Sequence, residues 1–300
     1  MATTTAVGNA LAQCLSPLIR REGMNASTLP RVSLLCLKRH QPRTPLMYEP
    51  GLTVIAQGRK IGYLGDREIH YNPGHYLVQT LPLPFECETH GSEEAPLLGI
   101  SVSLDPALLN ELVTAMGDQG PLVQTVKTPR PMASVAMNEG MQAAVLRLAH
   151  TLHDEMECRT MGAARIRDVV FEALKGEQGQ ALRALVSGHG NYARIVQVLS
   201  HLHAHFADPF SVEQLARQAN MSVSTFHQHF KQITRASPTQ YLKRLRLLKA
   251  QQLLLQDRHN VNQTALAVGY RSVPQFSRDY KRYFGEPPLQ HRRQEQAMRA

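Results

Sequence analysis

Apolar residues fall at strand spacing in the first third of the chain and at helical spacing in the last. Leu11, Leu15, Leu18 and Ile19 predict a short amphipathic helix ahead of Arg20-Arg21-Glu22-Gly23. From about Ser33 to Leu104 the apolar runs become short and are cut by turn residues. Leu52 to Gln57 predicts a strand, Gly58 a break, Lys60 to Leu64 a strand, Gly65-Asp66 a two-residue hairpin loop and Arg67 to Tyr71 the returning strand. After the Asn72-Pro73-Gly74 turn, His75 to Thr80, Phe85 to Thr89 and Leu97 to Leu104 extend the meander, which predicts a small barrel or sandwich. Asp105-Pro106 then starts a helix through Leu108, Leu109, Leu112 and Val113, with aspartate as cap and proline at the first position. Gly117 to Pro131 reads as a polar connection, and Met137 to Leu152 and Ile166 to Leu174 as two amphipathic helices. Ser187-Gly188-His189-Gly190 is small and polar enough for a domain boundary, with Tyr192 to Phe206 the first helix beyond it.

Past that boundary one plan occurs twice. Ser211, followed three residues later by Gln214, opens a short helix carrying Val212, Leu215, Ala216 and Ala219. Asn220 suits a left-handed turn, and Ser222 caps a second helix with Val223, Phe226, Phe230 and Ile233 on its apolar stripe. The opposite stripe is Ser224, His227, Gln228 and Lys231, all able to hydrogen-bond, as a major-groove reader requires. Asn262 or Val261 opens the second copy, a helix carrying Ala265, Leu266 and Val268, with Gly269 in the turn. Ser272 caps a helix with Pro274 in its first turn and Phe276, Tyr280, Tyr283 and Phe284 inward. Gln275, Arg278 and Arg282 occupy its other face, and Gly285, Pro287 and Pro288 end it. Phe226 and Phe276, like Phe230 and Tyr280, are 50 residues apart. Between the copies, Ser237-Pro238-Thr239-Gln240 starts a helix running to about Leu255, roughly 28 Å long at the usual rise. Successive major-groove faces lie about 34 Å apart, so such a spacer suits two readers in adjacent grooves.

The stretch LARQANMSVSTFHQHFK, the linker SPTQYLKRLRLLKAQQLL and ALAVGYRSVPQFSRDYKRYFGEPP resemble the DNA-binding domain of AraC/XylS-family bacterial transcription regulators. The family's second-unit signature is met at Ala265, Gly269, Tyr270, Ser272, Phe276, Arg278, Tyr280, Lys281, Phe284, Gly285 and Pro288. The resemblance implies base contacts by Ser224, His227 and Gln228 in the first unit and by Val273, Pro274, Gln275 and Arg278 in the second. Val273 and Pro274 offer no hydrogen bonds, so direct readout there falls to Gln275 and Arg278. MYEPGLTVIAQGRKIGYLGDREIHYNPGHYLV, with LPLPFE and SLDPALL, also resembles the cupin-like N-terminal domain of one branch of that family. The expected organisation is α+β: a tail and short helix at 1–23, a cupin-like barrel at 24–130, a helical segment at 131–186 and an all-α domain at 187–300. That last domain has two helix-turn-helix units joined by a long helix. The helices after the barrel either form the homodimer contacts that the resemblance implies or only cover the barrel.

Charge sharpens this picture. The net charge is +9, yet residues 191–300 carry 16 Lys+Arg against 6 Asp+Glu, or +10, leaving −1 for residues 1–190. The basic balance therefore coincides with the repeated unit, as phosphate contact requires. If Lys243 touches phosphate, Lys243→Ala is expected to weaken binding to all sequences alike.

The four cysteines are scattered, without a C-x-x-C pair, which fits a reducing cytoplasm. No apolar run approaches about 18 residues and the start lacks a signal pattern, so neither a membrane nor secretion is expected. His40, His70, His75 and His90 lack the H-x-H plus carboxylate pattern of metal-binding cupins. His201, His203 and His205 step by 200° on a helix, which argues against one shared face. No nucleophile elbow, P-loop or dinucleotide fingerprint occurs, so no enzyme, metal or cofactor is expected.

The expected partners are promoter DNA, RNA polymerase and a small effector held in the barrel. Tyr48, Tyr63, Tyr71 and Tyr76 are candidates either for lining that site or for core, and Cys87 for a thiol sensor or a buried apolar side chain. The competing readings are a cupin-type metalloenzyme with an accessory DNA-binding tail and a ligand-independent architectural DNA binder.

Overall fold

The computed structural model describes residues 2–117, 129–186, 190–255 and 259–299, with backbone alone at 2–7 and 294–299. Most of the Gly117 to Pro131 connection and the Ser187-Gly188-His189 boundary lie outside the described residues. The chain divides into two units. One comprises Met1–Arg43, Tyr48–Leu83 and Cys87–Ala193; the other comprises Thr44–Met47, Pro84–Glu86 and Arg194–Ala300.

The strands are β1 (Gly23–Ala26), β2 (Val32–Leu37), β3 (Gln41–Met47), β4 (Gly51–Gln57), β5 (Arg59–Leu64), β6 (Arg67–Tyr71), β7 (His75–Gln79), β8 (Pro84–His90), β9 (Leu97–Ser103) and β10 (Met132–Ala136), all in the first unit except Thr44–Met47 of β3 and Pro84–Glu86 of β8. They build two sheets, ordered β1-β2-β9-β4-β7-β10 and β3-β8-β5-β6. The expected barrel thus takes the form of two sheets that do not close on one another. Gly65, at φ 66°, lets Leu64 pair Arg67 across the two-residue loop, and a register shift between Ile55 and Gln57 bends β4.

Alternation along β4 sorts the layers. Leu52, Val54 and Ala56 join Tyr76, Val78, Ile100 and Val102 on the face covered by helices. Those helices are α1 (Ala2–Leu15), α2 (Pro106–Met116), α3 (Glu139–Thr151) and α4 (Glu155–Lys175), followed by the short α5 (Gly179–Arg183). Asp105 caps α2 as expected, accepting the Ala107 N–H at 3.0 Å. Two expectations change here. Met132 to Ala136, read as part of a helical segment, pairs antiparallel with β7 from Met132↔Gln79 to Ala136↔His75. Five residues beside a polar connection carry too little alternation to announce a strand. α4 begins eleven residues before Ile166, because Asp154 caps it by accepting the Glu157 N–H at 2.8 Å. Its first turns are mostly polar, so their apolar period is weak.

The second unit is helical: most of α6 (Gly190–Ala204), then α7 (Val212–Gln218), α8 (Val223–Thr234), α9 (Pro238–Leu255), α10 (Val261–Ala267), α11 (Val273–Phe284) and α12 (Pro288–Arg299). α12 went unread: Pro287 and Pro288 do end α11, but Pro288 is also a good first residue for the next helix.

Candidate nucleic-acid interface and effector site

The first helix-turn-helix is held by short-range hydrogen bonds that its sequence specifies. Ser211 accepts the Gln214 N–H at 3.2 Å, Asn220 takes φ 52° in the turn, and Ser222 accepts the Thr225 N–H at 3.3 Å. Ser222→Ala is expected to cost about 1 kcal/mol, read as a lower melting temperature. Phe226 and Phe230 are fully buried 5.4 Å apart, and Phe230 meets Tyr241 of α9 edge-on at 5.5 Å. Turning those rings inward leaves Ser224, His227, Gln228 and Lys231 exposed on α8. Val223, expected in the core stripe, is 41% exposed, because the first residue of the helix overhangs its neighbour.

The second unit repeats the arrangement. Asn260, one residue ahead of the expected start, caps α10: its side chain accepts the Gln263 N–H at 2.9 Å and Gln263 Oε1 accepts the Asn260 N–H at 3.0 Å. Ala265 and Val268 are buried, but Leu266 is 65% exposed, since it lies about 100° around the helix from Ala265. Ser272 caps α11 through the Gln275 N–H at 3.4 Å. Phe276 and Tyr280 are fully buried, while Tyr283, Phe284 and Val273 pack partly against them. Pro274, Gln275, Arg278 and Arg282 are exposed on the opposite side.

α9 carries both units. Tyr241 near its start packs on α8, and Leu247, Ala250 and Leu254 pack with Phe276 and Tyr280 of α11. Arg246 ties this frame together, donating to the carbonyls of Phe206 at 2.6 Å, Asp208 at 2.9 Å and Gly269 at 3.3 Å. Burial lowers its guanidinium pKa, which the charge on Asp208 partly offsets. Lys243 is committed as well: its ammonium lies 2.6 Å from Asp279 Oδ1, an internal ion pair and not a free phosphate contact.

The four candidate tyrosines separate. Tyr76 packs in the helix-covered core, and burial raises its phenol pKa. Tyr63 donates to Glu88 Oε2 at 3.0 Å beneath the Arg43 guanidinium, 4.1 Å from its ring centre. Tyr48 and Tyr71 instead come together beside Lys60, which sequence reading passed over. Lys60 donates to the Tyr48 hydroxyl at 2.7 Å, and its register partner Tyr71 places its hydroxyl 3.2 Å from the Cys87 thiol. Lysine is common in exposed strands, so nothing local marked this one as inward.

Histidines are placed differently from their linear pattern. His40, Glu88 and His90 bring one potential ligand atom each within 4.8 Å of one another. The Arg59 guanidinium nitrogen lies 3.3 Å from His90 Nε2, which puts a positive charge beside any cation there. His201 and His205 do share a side, with ring centres 4.6 Å apart, because four residues close 400° of helix. His203 turns away to the Tyr241 hydroxyl at 2.7 Å. Among the described residues, no helix is long and apolar enough to cross a membrane.

Comparison with known proteins follows the same division. Residues 28–181, just over half of the chain, match the family described as AraC-type transcriptional regulator N-terminus, and residues 215–294 match a helix-turn-helix domain family. The HTH-type transcriptional regulator GbdR of Pseudomonas aeruginosa is 30% identical over 135 residues, 45% of this chain and 37% of GbdR. The HTH-type transcriptional activator RhaS of Salmonella schwarzengrund is 37% identical over 98 residues, 33% of this chain and 35% of RhaS. The chain thus spans little more than a third of the length of the curated relatives it matches. ToxT from Vibrio cholerae, solved with an unsaturated fatty acid bound, shares the fold at a TM-score of 0.58 and 11% identity, over 91% of this chain and 97% of ToxT.

Proposed function

Since the chain belongs to the AraC-type transcriptional regulators, we propose that its helical unit reads promoter DNA through α8 and α11 while its N-terminal unit senses a small effector. The observation that carries this reading is the repeated split of each capped helix into a buried aromatic side and an exposed hydrogen-bonding side, in the basic part of the chain. Ser224, His227 and Gln228, and Gln275 with Arg278, are the base readers; Lys231 and Arg282 approach phosphates. Val273 and Pro274 supply apolar contact, to a thymine methyl for instance. At 18 residues α9 is about 27 Å long, a spacing suited to adjacent major grooves.

No catalytic step is assigned, and the site of action is the cytoplasm, where the promoter and RNA polymerase are met. A homodimer is part of the proposal: α4 leaves Met156, Met161 and Phe171 exposed, apolar surface that a second copy would cover. An effector in the N-terminal unit gains support from ToxT, whose structure holds a fatty acid.

The test is genome-wide immunoprecipitation of bound DNA in the host, with the parent chain and with Gln275→Ala plus Arg278→Ala. Peaks at a few promoters sharing a motif about two helical turns long, lost in the variant, are expected. In vitro, Arg278→Ala is expected to cost about 1–3 kcal/mol of specific binding and to relax preference at one base step. Equal loss on specific and random duplexes would remove Arg278 from the base readers, and binding indifferent to sequence would favour an architectural role.

A further inference from the structure

Lys60 is 3% exposed and has no carboxylate beside it among the described residues. Its ammonium carries three donors, and one meets the Tyr48 hydroxyl. Burial raises the phenol pKa of Tyr48, even against the adjacent ammonium, and drives that of Tyr71 well up. Both phenols are therefore neutral at physiological pH, and neither supplies a counter-charge. Burial works against the Lys60 ammonium, but Tyr48 and then Cys87 outweigh it and raise its pKa; with no carboxylate beside it among the described residues, this buried cation is still a costly feature, which folding alone does not explain.

A second unmet group lies at the other end of Tyr48. Gln79, 2% exposed, donates from Nε2 to the carbonyls of Tyr48 and Leu81, both at 3.0 Å. Two carbonyl partners settle the orientation of the amide, and Gln79 Oε1 then has no partner among the described residues. Tyr48 bonds Lys60 of the four-stranded sheet and Gln79 of the six-stranded sheet, so both unmet groups lie beside one residue that bridges the two sheets. A surface groove of about 670 Å3 lined by Leu29, Arg31, Asp105, Leu108 and Cys158 makes no such demand, since Arg31 and Asp105 already pair at 3.1 Å.

We infer that Lys60 is the anion-binding residue of the effector site and that the effector is a small hydroxycarboxylic acid, its carboxylate on Lys60 and its hydroxyl donating to Gln79 Oε1. A hydroxyl suits Gln79 better than an amino group, because a second cation would stand near the buried ammonium. The inference rests on the reading of the N-terminal unit as a sensor.

Thermal melting of the full chain tests it, with Lys60→Met and Tyr48→Phe, each without addition and with salicylate, mandelate or 3-hydroxydecanoate beside the matching primary amides. Without addition, Lys60→Met is expected to melt above the parent, as an uncompensated buried charge has been removed. At least one acid is expected to raise the melting temperature of the parent while its amide does not, and this protection disappears in Lys60→Met. Tyr48→Phe, which keeps the ammonium and removes only the hydroxyl that orients it, is expected to weaken that acid about tenfold. If Lys60→Met fails to fold or melts below the parent, the ammonium is structural and the inference is overturned. Equal protection by acid and amide, or protection by none of the acids, overturns it as well. Retardation of promoter DNA by the same preparations separates the two proposals. Acid-selective protection without specific retardation sinks the regulator reading alone, and specific retardation without acid selectivity sinks the role of Lys60 alone.

Discussion

Lys243→Ala is expected to destabilise the helical unit by about 3 kcal/mol, because it leaves a buried carboxylate without its cation. Asp279 faces inward from α11 with its side chain 8% exposed, and Lys243 reaches it from α9 at 2.6 Å. Among the described residues, the other carboxylate oxygen has only the Tyr270 hydroxyl, at 3.4 Å. Removing one partner of a fully buried pair costs about 3–5 kcal/mol. Since the Lys243 side chain is 41% exposed, water reaches that end and the lower part of the range applies. Urea titration followed by far-ultraviolet circular dichroism would measure the loss, and adding Asp279→Asn is expected to recover most of it. A loss below about 0.5 kcal/mol, the level of an ordinary surface substitution, would show that the pair contributes nothing. The functional consequence is specific: Lys243→Ala weakens binding to every duplex through the fold, and the Asp279→Asn companion restores it. Loss of a phosphate contact by Lys243 would not be restored by that change.

Gly269→Ala is expected to cost about 3–4 kcal/mol, against about 1 kcal/mol for Gly285→Ala. Both glycines have positive φ, 81° and 85°, and so share the cost of placing an L side chain in left-handed backbone. They differ in surroundings. A Cβ on Gly269 would run into the backbone oxygen of Ala207 and come within 2.9 Å of its C and Cα, whereas a Cβ on Gly285 meets nothing within 4 Å. Backbone cannot rotate aside as a side chain can, so the turn of the second helix-turn-helix would have to open. That movement also pulls on the Gly269 carbonyl held by Arg246. Thermal melts of the two variants side by side give the difference, and equal losses would mean that the approach of Ala207 has no energetic weight. Specific DNA binding is expected to fall with Gly269→Ala more than with Gly285→Ala, since α11 starts four residues beyond the strained turn.

The helical unit was legible because its signals are local. Ser211, Ser222 and Ser272 each accept an N–H three residues ahead, so cap and helix lie in one short window. Aromatic residues at helical spacing then separate a buried side from an exposed one within a single element. Even the misreadings there are small: Asn260 caps one residue early, and Val223 sits on the edge of its apolar stripe. In the β-rich unit, the hairpin loop with Gly65 and the turn with Gly74 also announced themselves, and β6 runs between the residues expected.

What the linear pattern left undecided depends on residues far apart in the chain. β10 exists because β7 offers it an edge, and the four tyrosines look alike until the sheets place Tyr76 under helices, Tyr63 against Glu88, and Tyr48 and Tyr71 beside Lys60. Lys60 and Lys243 read as ordinary surface lysines; only approach to Tyr48 and to Asp279 makes one a buried cation and the other an internal ion pair. The sequence by itself determined the two helix-turn-helix units, their exposed polar sides and their basic surroundings, since helix capping and periodicity act over three or four residues. Tertiary structure alone decided which strands share a sheet and which charges are buried, because sheet pairing and desolvation are set by the neighbours that folding brings together.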